Sequence, residues 1–408
     1  MKSPNFNSIQ YNNTYKCGYR FLLCPTDSQI EFIEKCIGAN RKIYNWAIDK
    51  QIEHFESYKK GIYERKFYSK FELQKELTKF KKEPGLEWLQ DIPNESLRSS
   101  IKRVMKAITM YNSGKTHHRF PQHKTKKFKT QSYQVRGDRL YIIDGKLRIE
   151  GLPRGDLITI KCPFNISCKN STIYNPVISK DTFGKYWFSF CIDQPKIYKP
   201  ITFKDENINV IGIDINVKDR FVCSNGYRSG SPNISHYCRL RSKRHKRYQK
   251  DLKRKKQWEI TNPEETYVKS KRELKREYRY KKINRKIANV VENFIQEETN
   301  KIINMKPTTI VMEHLDNIDI LSKHHVAKLT YQASFYRCRQ VMENKCNKNS
   351  INFILADKSF PSSQLCCKCG SRNKIPYNKN RLYCCPICGN KIDRDLNAAI
   401  NLQKLGFA

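Results

Sequence analysis

The cysteine register near the C-terminus constrains this chain more tightly than any other feature. Six cysteines fall between Cys366 and Cys388; of the first three only Cys366 and Cys369 are three apart, and of the last three only Cys385 and Cys388. That leaves one spacing, C-x2-C-x15-C-x2-C, within the range of a four-thiolate zinc ribbon holding one structural Zn2+. Gly370 and Gly389 follow the two knuckles, where the backbone must turn tightly beneath the sulfurs. Cys367 and Cys384 are left as spare or alternative ligands. The competing reading, paired disulfides, fits the remaining cysteines poorly. Most sit singly in apolar runs such as WFSFCID and RFVCSN, where a free thiol behaves as a small hydrophobe and a reducing compartment is implied.

Charge narrows the partners. Seventy-nine Lys+Arg oppose 39 Asp+Glu over 408 residues, a formal +40, and a field of that size points to a polyanion, with nucleic acid foremost. A solvated basic surface explains it less well, because acids are depleted in the helical stretches too. With 38% hydrophobic residues the chain can build ordinary cores, spread over about two to four domains. No apolar run approaches the roughly 18 residues of a membrane span, and MKSPNFNSIQYNNTY lacks an apolar signal core. The chain is therefore expected to be neither spanning nor secreted: cytoplasmic and nucleoid-associated in a prokaryotic host, nuclear in a eukaryotic one.

Read from the front, KCGYRFLL predicts a short strand, and Thr26 with Gln29 a capping box opening a helix whose Ile30, Ile33, Ile37, Tyr44 and Ile48 repeat at helical period. Helices continue to about residue 112, the last with Ile101, Val104, Met105 and Ile108 on one face and Lys102, Arg103 and Lys106 on a basic back. From GKTHHRFPQHKTKKFKTQSYQVRG onward, Lys, His and aromatic residues interleave, a texture suited to RNA or single strands, and Lys124, Lys126 and Lys127 are candidate phosphate contacts. His117, His118 and His123 have no acid or cysteine nearby to complete a metal site. Asp144-Gly145 marks a hairpin, and residues 121–205 read as a small β-domain completed by the N-terminal strand.

Three isolated acids come next. INVIGIDIN is a buried strand interrupted by Asp214, with RFVCSNGYR as its hairpin partner; PTTIVMEHLDNI is a second strand ending in Glu313; and Asp395 sits in the first turn of the helix LNAAINLQKL. Singly, each has an ordinary explanation, such as a strand-end acid or a carboxylate favoured by a helix dipole. Together, two strands and a terminal helix each carrying a lone carboxylate are the order of an RNase H-like nuclease. Hard cations take oxygen ligands, and a pair of Mg2+ ions, or Mn2+ in substitution, can drive phosphodiester hydrolysis. The ribbon is then an insertion stiffening the approach to the last catalytic helix.

At this point the motifs GIDINVKD, VMEHLDNI, SSQLCCKCG, YCCPICG and DRDLNAAINL, in that order, resemble the TnpB family of transposon-encoded RNA-guided DNA endonucleases, relatives of compact type V CRISPR effectors. YRFLLCPTDSQ, NRKIYNWAI and RFPQHKTKKFKTQS extend the resemblance over residues 16–405. It implies an α/β multidomain chain: a RuvC-type RNase H-like nuclease with an inserted zinc ribbon, a β-barrel-like wedge domain and a helical recognition lobe. The corresponding spans are 1–23 and 121–205 for the wedge, 24–120 for the lobe, 206–360 and 391–408 for the nuclease, and 361–390 for the ribbon. Carried over residue by residue, the acids are Asp214, Glu313 and Asp395, with Asp393 ranked below Asp395, and the zinc ligands are Cys366, Cys369, Cys385 and Cys388. Two departures stand out: His314 follows the glutamate where an aspartate is common, and N-V-K follows Asp214-Ile215 where a glycine is usual. Nuclease-silent relatives acting as RNA-guided DNA-binding regulators lose one or more of the acids, and here all three remain. A zinc-ribbon RNA-binding structural protein would leave the acids unexplained.

Between the first two motifs, Arg239 to Lys286 holds 21 Lys/Arg against 6 Asp/Glu. Pro263 divides it into two predicted helices, the second turning apolar at Ile283, Ile287, Val290, Val291 and Phe294 to dock on the nuclease sheet. Arg239, Arg241, Lys243, Arg244, Lys246, Arg247, Lys253 and Arg254 are the candidates for holding a guide–target duplex by its backbone, leaving sequence reading to base pairing. The implied partners are a guide RNA and double-stranded target DNA, with no membrane, and one or two copies of the chain per guide.

Overall fold

The computed structural model describes residues 14–113, 120–126, 131–161, 172–196, 209–314, 334–373 and 381–407. The chain divides into two compact units, Lys16–Gln194 and a second that runs from Pro195. No helix among the described residues is long and apolar enough to cross a membrane.

In the first unit, strand β1 (Thr14–Cys24) leads into helix α1 (Asp27–Lys59). The break between them is set by Thr26, which accepts from the Gln29 N–H while the Gln29 side chain returns to the Thr26 N–H, the expected capping box. Helices α2 (Lys70–Phe80) and α3 (Asn94–Asn112) follow. The strands β2 (Gln131–Gln134), β3 (Tyr141–Ile143), β4 (Lys146–Arg148), β5 (Ile158–Lys161), β6 (Ile173–Lys180) and β7 (Tyr186–Pro195) form with β1 a sheet of order β2-β6-β7-β1-β5-β4-β3. Thus the N-terminal strand is inserted between β7 and β5. Asp144 and Gly145, at φ 48° and 71°, make the two-residue turn joining β3 to β4, a geometry glycine adopts without strain. Helices and sheet share one continuous core, in which Ile33, Ile37 and Ile43 of α1 and Ile101 and Val104 of α3 meet Phe21, Tyr133 and Phe188 of the sheet.

The second unit is built on strands β8 (Val210–Asp214), β9 (Val222–Cys223), β10 (Thr309–Met312) and β11 (Asn352–Leu355), in the order β11-β10-β8-β9. β8, β10 and β11 run parallel and β9 returns antiparallel to β8. Parallel neighbours need long crossovers. The first is a helical hairpin, α4 (Ser235–Thr261) and α5 (Lys271–Asn304), broken around Pro263; α6 (Phe335–Lys348) lies in the second. Side chains alternate along a strand, so Ile211, Ile213, Ile310 and Met312 point one way, into a core with Ile287, Val291 and Ile295 of α5 and Val341 and Met342 of α6. Val210 and Val311 point the other way, packing with Leu402 of the last helix, α7 (Arg394–Lys404). Gly212 shares that face. A Cβ there would collide with the Ala399 carbonyl and the Gln403 backbone, so glycine is what lets α7 lie directly on β8.

Candidate metal centres and basic surfaces

The same alternation places the first two acids. Asp214 has the parity of Val210, and Glu313, one residue past β10, has the parity of Val311, so both carboxyls project from the α7 face at the C-terminal ends of adjacent parallel strands. Ligands of open α/β sheets characteristically collect at such strand ends. The hairpin β12 (Leu382–Cys384) and β13 (Lys391–Asp393) runs straight into α7 and brings Asp395 to the same point. Asp393 is the N-cap of α7: its Oδ1 accepts from the N–H groups of Asp395 and Leu396 at 2.9 and 3.1 Å and pairs with Arg228 Nη2 at 2.7 Å. That occupation explains why Asp395, and not Asp393, faces the other acids.

The cluster is electrostatically tense. Burial, together with the charges of Glu313 and Asp395, pushes the Asp214 carboxyl well above the usual range, and a side-chain hydrogen bond joins it to Glu313. Burial also raises Glu313 against hydrogen bonds from Asp214 and Ser362, and raises Asp395 against the positive charge of Arg381. Asn216 Nδ2 donates to Asp395 Oδ2 at 3.0 Å and reaches Asp214 Oδ2 at 3.5 Å, while Arg381 Nη1 donates to Asp395 Oδ2 at 2.8 Å. Three carboxyls that resist ionisation without a counter-charge meet here, less tightly than the four cysteine sulfurs of the ribbon, and with no histidine or thiol among them they offer oxygen donors of the kind hard divalent cations such as Mg2+ take.

The four cysteines of the single allowed register also meet. The sulfurs of Cys366, Cys369, Cys385 and Cys388 all lie within 4.8 Å of one another, with Cys366 to Cys388 and Cys369 to Cys385 both 3.6 Å. Tetrahedral ligands about 2.3 Å from one zinc stand about 3.8 Å apart, so the arrangement fits that ion. The knuckles are built alike: Gly370 N–H bonds the Cys366 carbonyl and Gly389 N–H the Cys385 carbonyl, with both glycines at φ near 70°. Cys367 and Cys384 are outside the cluster; Cys367 Sγ accepts from Asn390, and Cys384 is an exposed residue of β12. Asn397 and Asn401, one turn apart on α7 and buried, fasten the knuckle strand to the helix through the carbonyls of Leu365 and Ser362.

Of the basic candidates, Arg239, Arg241, Lys243, Arg244, Lys246, Arg247, Lys253 and Arg254 all stand on α4, and most are exposed. Arg244 is partly engaged, donating to the Arg279 carbonyl at 2.8 Å, and Arg254 lies 3.7 Å from Glu273. α4 and α5 are clamped by the bidentate Arg276–Asp251 pair and by Tyr248 stacked on Tyr280. Ile283, Ile287 and Val291 of α5 are buried as expected, and Val290 and Phe294 half-buried. Lys126 is exposed in the first unit and Lys124 half-buried; Lys127, His117 and His118 lie outside the described residues. His123 bonds Asp49 at 2.7 Å. Arg103 departs from its expected place on a solvated helix back: it is half-buried and donates to the Ser132 carbonyl.

Asn216, Arg381 and Arg228 escaped the sequence reading. Asn216 had a usable signal, an Asx turn in which its Oδ1 accepts from the N–H groups of Lys218 and Asp219 at 3.0 and 2.8 Å. Asn397 and Asn401 were legible as two amides spaced four apart beside Ala398, Ala399 and Leu402. Arg381 and Arg228 had none, because their partners are remote in sequence.

Residues 335–402 match a family model described as Cas12f1-like, TNB domain, and residues 15–60 match one described as a helix-turn-helix domain of the OrfB/IS605 type. Here the latter span folds as β1 and α1. Over 397 residues the chain is 23% identical to a Streptomyces pristinaespiralis protein whose name assigns it as an RNA-guided DNA endonuclease, covering 96% of this chain and 90% of that one. Among solved structures, the fold is like that of the protein in a Cas12f1–sgRNA–target DNA complex, at a TM-score of 0.54 and 13% identity, covering 96% of this chain and 99% of that one.

Proposed function

We propose that this chain, a TnpB/Cas12f-like protein, is an RNA-guided DNA endonuclease that hydrolyses phosphodiester bonds at Asp214, Glu313 and Asp395. The observation carrying the reading is the meeting of these carboxyls, two from the ends of adjacent parallel strands and one from the first turn of α7, at one site in which Asp214 is buried and Glu313 and Asp395 are half-buried. The fold likeness and the relative's name point the same way. Mg2+ bound by the three acids would supply Lewis-acid activation of water and stabilise the leaving oxygen.

The chain's own residues prepare that site. Asn216 holds Oδ2 of Asp395 and leans on Asp214, Arg381 on the same oxygen neutralises part of the Asp395 charge, and Asp393 with Arg228 fixes the start of the helix. The ribbon, with one Zn2+ on Cys366, Cys369, Cys385 and Cys388, stiffens the segment delivering Arg381 and Asp395. The exposed face of α4 lies along a guide–target duplex, and the first unit serves as recognition lobe and wedge. In a prokaryotic host like the relative's, the protein acts in the cytoplasm on the nucleoid.

The test is direct: purify the chain with its co-purifying RNA, sequence that RNA, and challenge the complex with a DNA target matching its guide portion in Mg2+. Cleavage confined to matched DNA supports the proposal. Stable RNA-directed binding without cleavage would contradict it.

A further inference from the structure

The first unit contains a small open pocket of about 30 Å³ between α1, α3 and β2. Arg41, Arg103, Lys124, Thr125, Gln131 and Ser132 line it. Three cations therefore face one space, and among the described residues no carboxylate bonds any of them. Among the described residues Arg103 is bonded only to a neutral carbonyl, that of Ser132. Lys124 Nζ stands 3.7 Å above the Tyr44 ring. The acid whose field reaches Arg41 is Glu34, and its carboxylate is already taken by Lys180 at 2.6 Å and by Tyr186.

This arrangement is costly in isolation. Burial holds the Lys124 amine down to about 8, with repulsion from Arg103 adding to it, and burial lowers Arg103 as well. It is also held in shape from outside: the Asn45 side chain grips Lys124 at both backbone groups, accepting from its N–H at 2.8 Å and donating to its carbonyl at 3.0 Å. Asn40 adds no donor, since its amide is spent on Cys36, Ser96 and Ser100. The hydroxyls of Thr125 and Ser132, by contrast, make no hydrogen bond among the described residues. Pre-placed, half-desolvated cations without a counter-ion, flanked by neutral donors, make a receptor for a tetrahedral oxyanion.

We propose that Arg41, Arg103 and Lys124 seat one backbone phosphate of a nucleic acid in this pocket, with Thr125 and Ser132 completing the contacts. The assignment rests on the reading of the chain as a nucleic-acid-binding protein. A backbone phosphate suits the site better than a free one because the pocket opens beside exposed Lys126, in the basic run that continues along the chain.

The test uses the full chain, fluorescent 20-mer RNA and DNA oligonucleotides, and inorganic phosphate. Arg103→Gln and Lys124→Gln should each lower the log–log salt slope of oligonucleotide binding by about 1, whereas Lys59→Gln, at the end of α1 and outside the pocket, should not. Without nucleic acid, both pocket variants should melt at or above the wild-type temperature, since each removes an uncompensated charge. Lower melting temperatures with an unchanged slope would make these cations structural and overturn the proposal. Phosphate binding lost in the variants while oligonucleotide binding stays unchanged would reassign the pocket to a free anion, also overturning it. An unchanged slope in variants that still cleave matched DNA would remove the pocket and leave the nuclease reading standing; failure of the wild type to bind either oligonucleotide would remove both.

Discussion

Asn216 donates from Nδ2 to Asp395 Oδ2 at 3.0 Å, tying an acid of the last helix to the turn after β8. Its orientation is fixed, because Oδ1 is committed to the N–H groups of Lys218 and Asp219 and only the amide nitrogen can face the acids.

Replacing Asn216 with Asp would set a fourth carboxylate among three that are already hard to ionise. Asn216→Asp should melt below wild type in metal-free buffer and gain more from added Mg2+ than wild type does. Thermal melts with and without MgCl2 check this; equal Mg2+ shifts in the two proteins would show that the cluster does not hold the ion.

Gly212 sets the distance between β8 and α7. Gly212→Ala drives a methyl into the backbone of Ala399 and Gln403, and overpacking of this kind typically costs about 1–3 kcal/mol. Denaturant titration should show that loss, and cleavage should fall with it because Asp214 and Asp395 ride on the two displaced elements. A neutral Gly212→Ala would contradict the packing described.

These relationships mark the boundary of what the sequence could reveal. The lone acids, the cysteine register, the Thr26 cap, the Asp144-Gly145 turn and the break at Pro263 are local patterns, and local chemistry made them legible. Strand order is not local: that β1 is inserted between β7 and β5, or that Asp214 and Glu313 share a face, follows from pairing across long separations. Arg103 illustrates the limit. Helical period put it on the polar side of α3, and only the approach of β2 and the Lys124 segment turns that side into a pocket wall.

The ribbon should carry about one zinc per chain. Metal analysis of purified protein checks the stoichiometry, and Cys385→Ser should lose the ion. Asn397→Ala should keep the zinc but loosen the ribbon from α7, leaving the Cys367 N–H without its partner and the Leu365 carbonyl held by Asn401 alone. Well-folded protein without zinc would contradict the assignment.

On α4, Arg239, Lys243, Lys246 and Arg247 fall on one exposed helical face. Changing all four to Gln should flatten the salt dependence of nucleic-acid binding by roughly 0.7 to 0.9 per lost phosphate contact. An unchanged slope would return the helix to a merely solvated face.

The most direct test of the central claim is cleavage of a guide-matched DNA target in Mg2+ by Asp214→Ala, Glu313→Ala, Asp395→Ala and Asp393→Ala, with target binding measured at one fixed salt concentration. Each of the first three should abolish cutting and bind the target nearly as wild type does, since base pairing and the basic surfaces hold it. Asp393→Ala should retain substantial cutting and lose about 0.5–2 kcal/mol of stability as a missing helix cap. Normal cutting by Asp395→Ala beside a dead Asp393→Ala would show that the wrong aspartate faces the metal, and cutting by all four would contradict the nuclease site altogether.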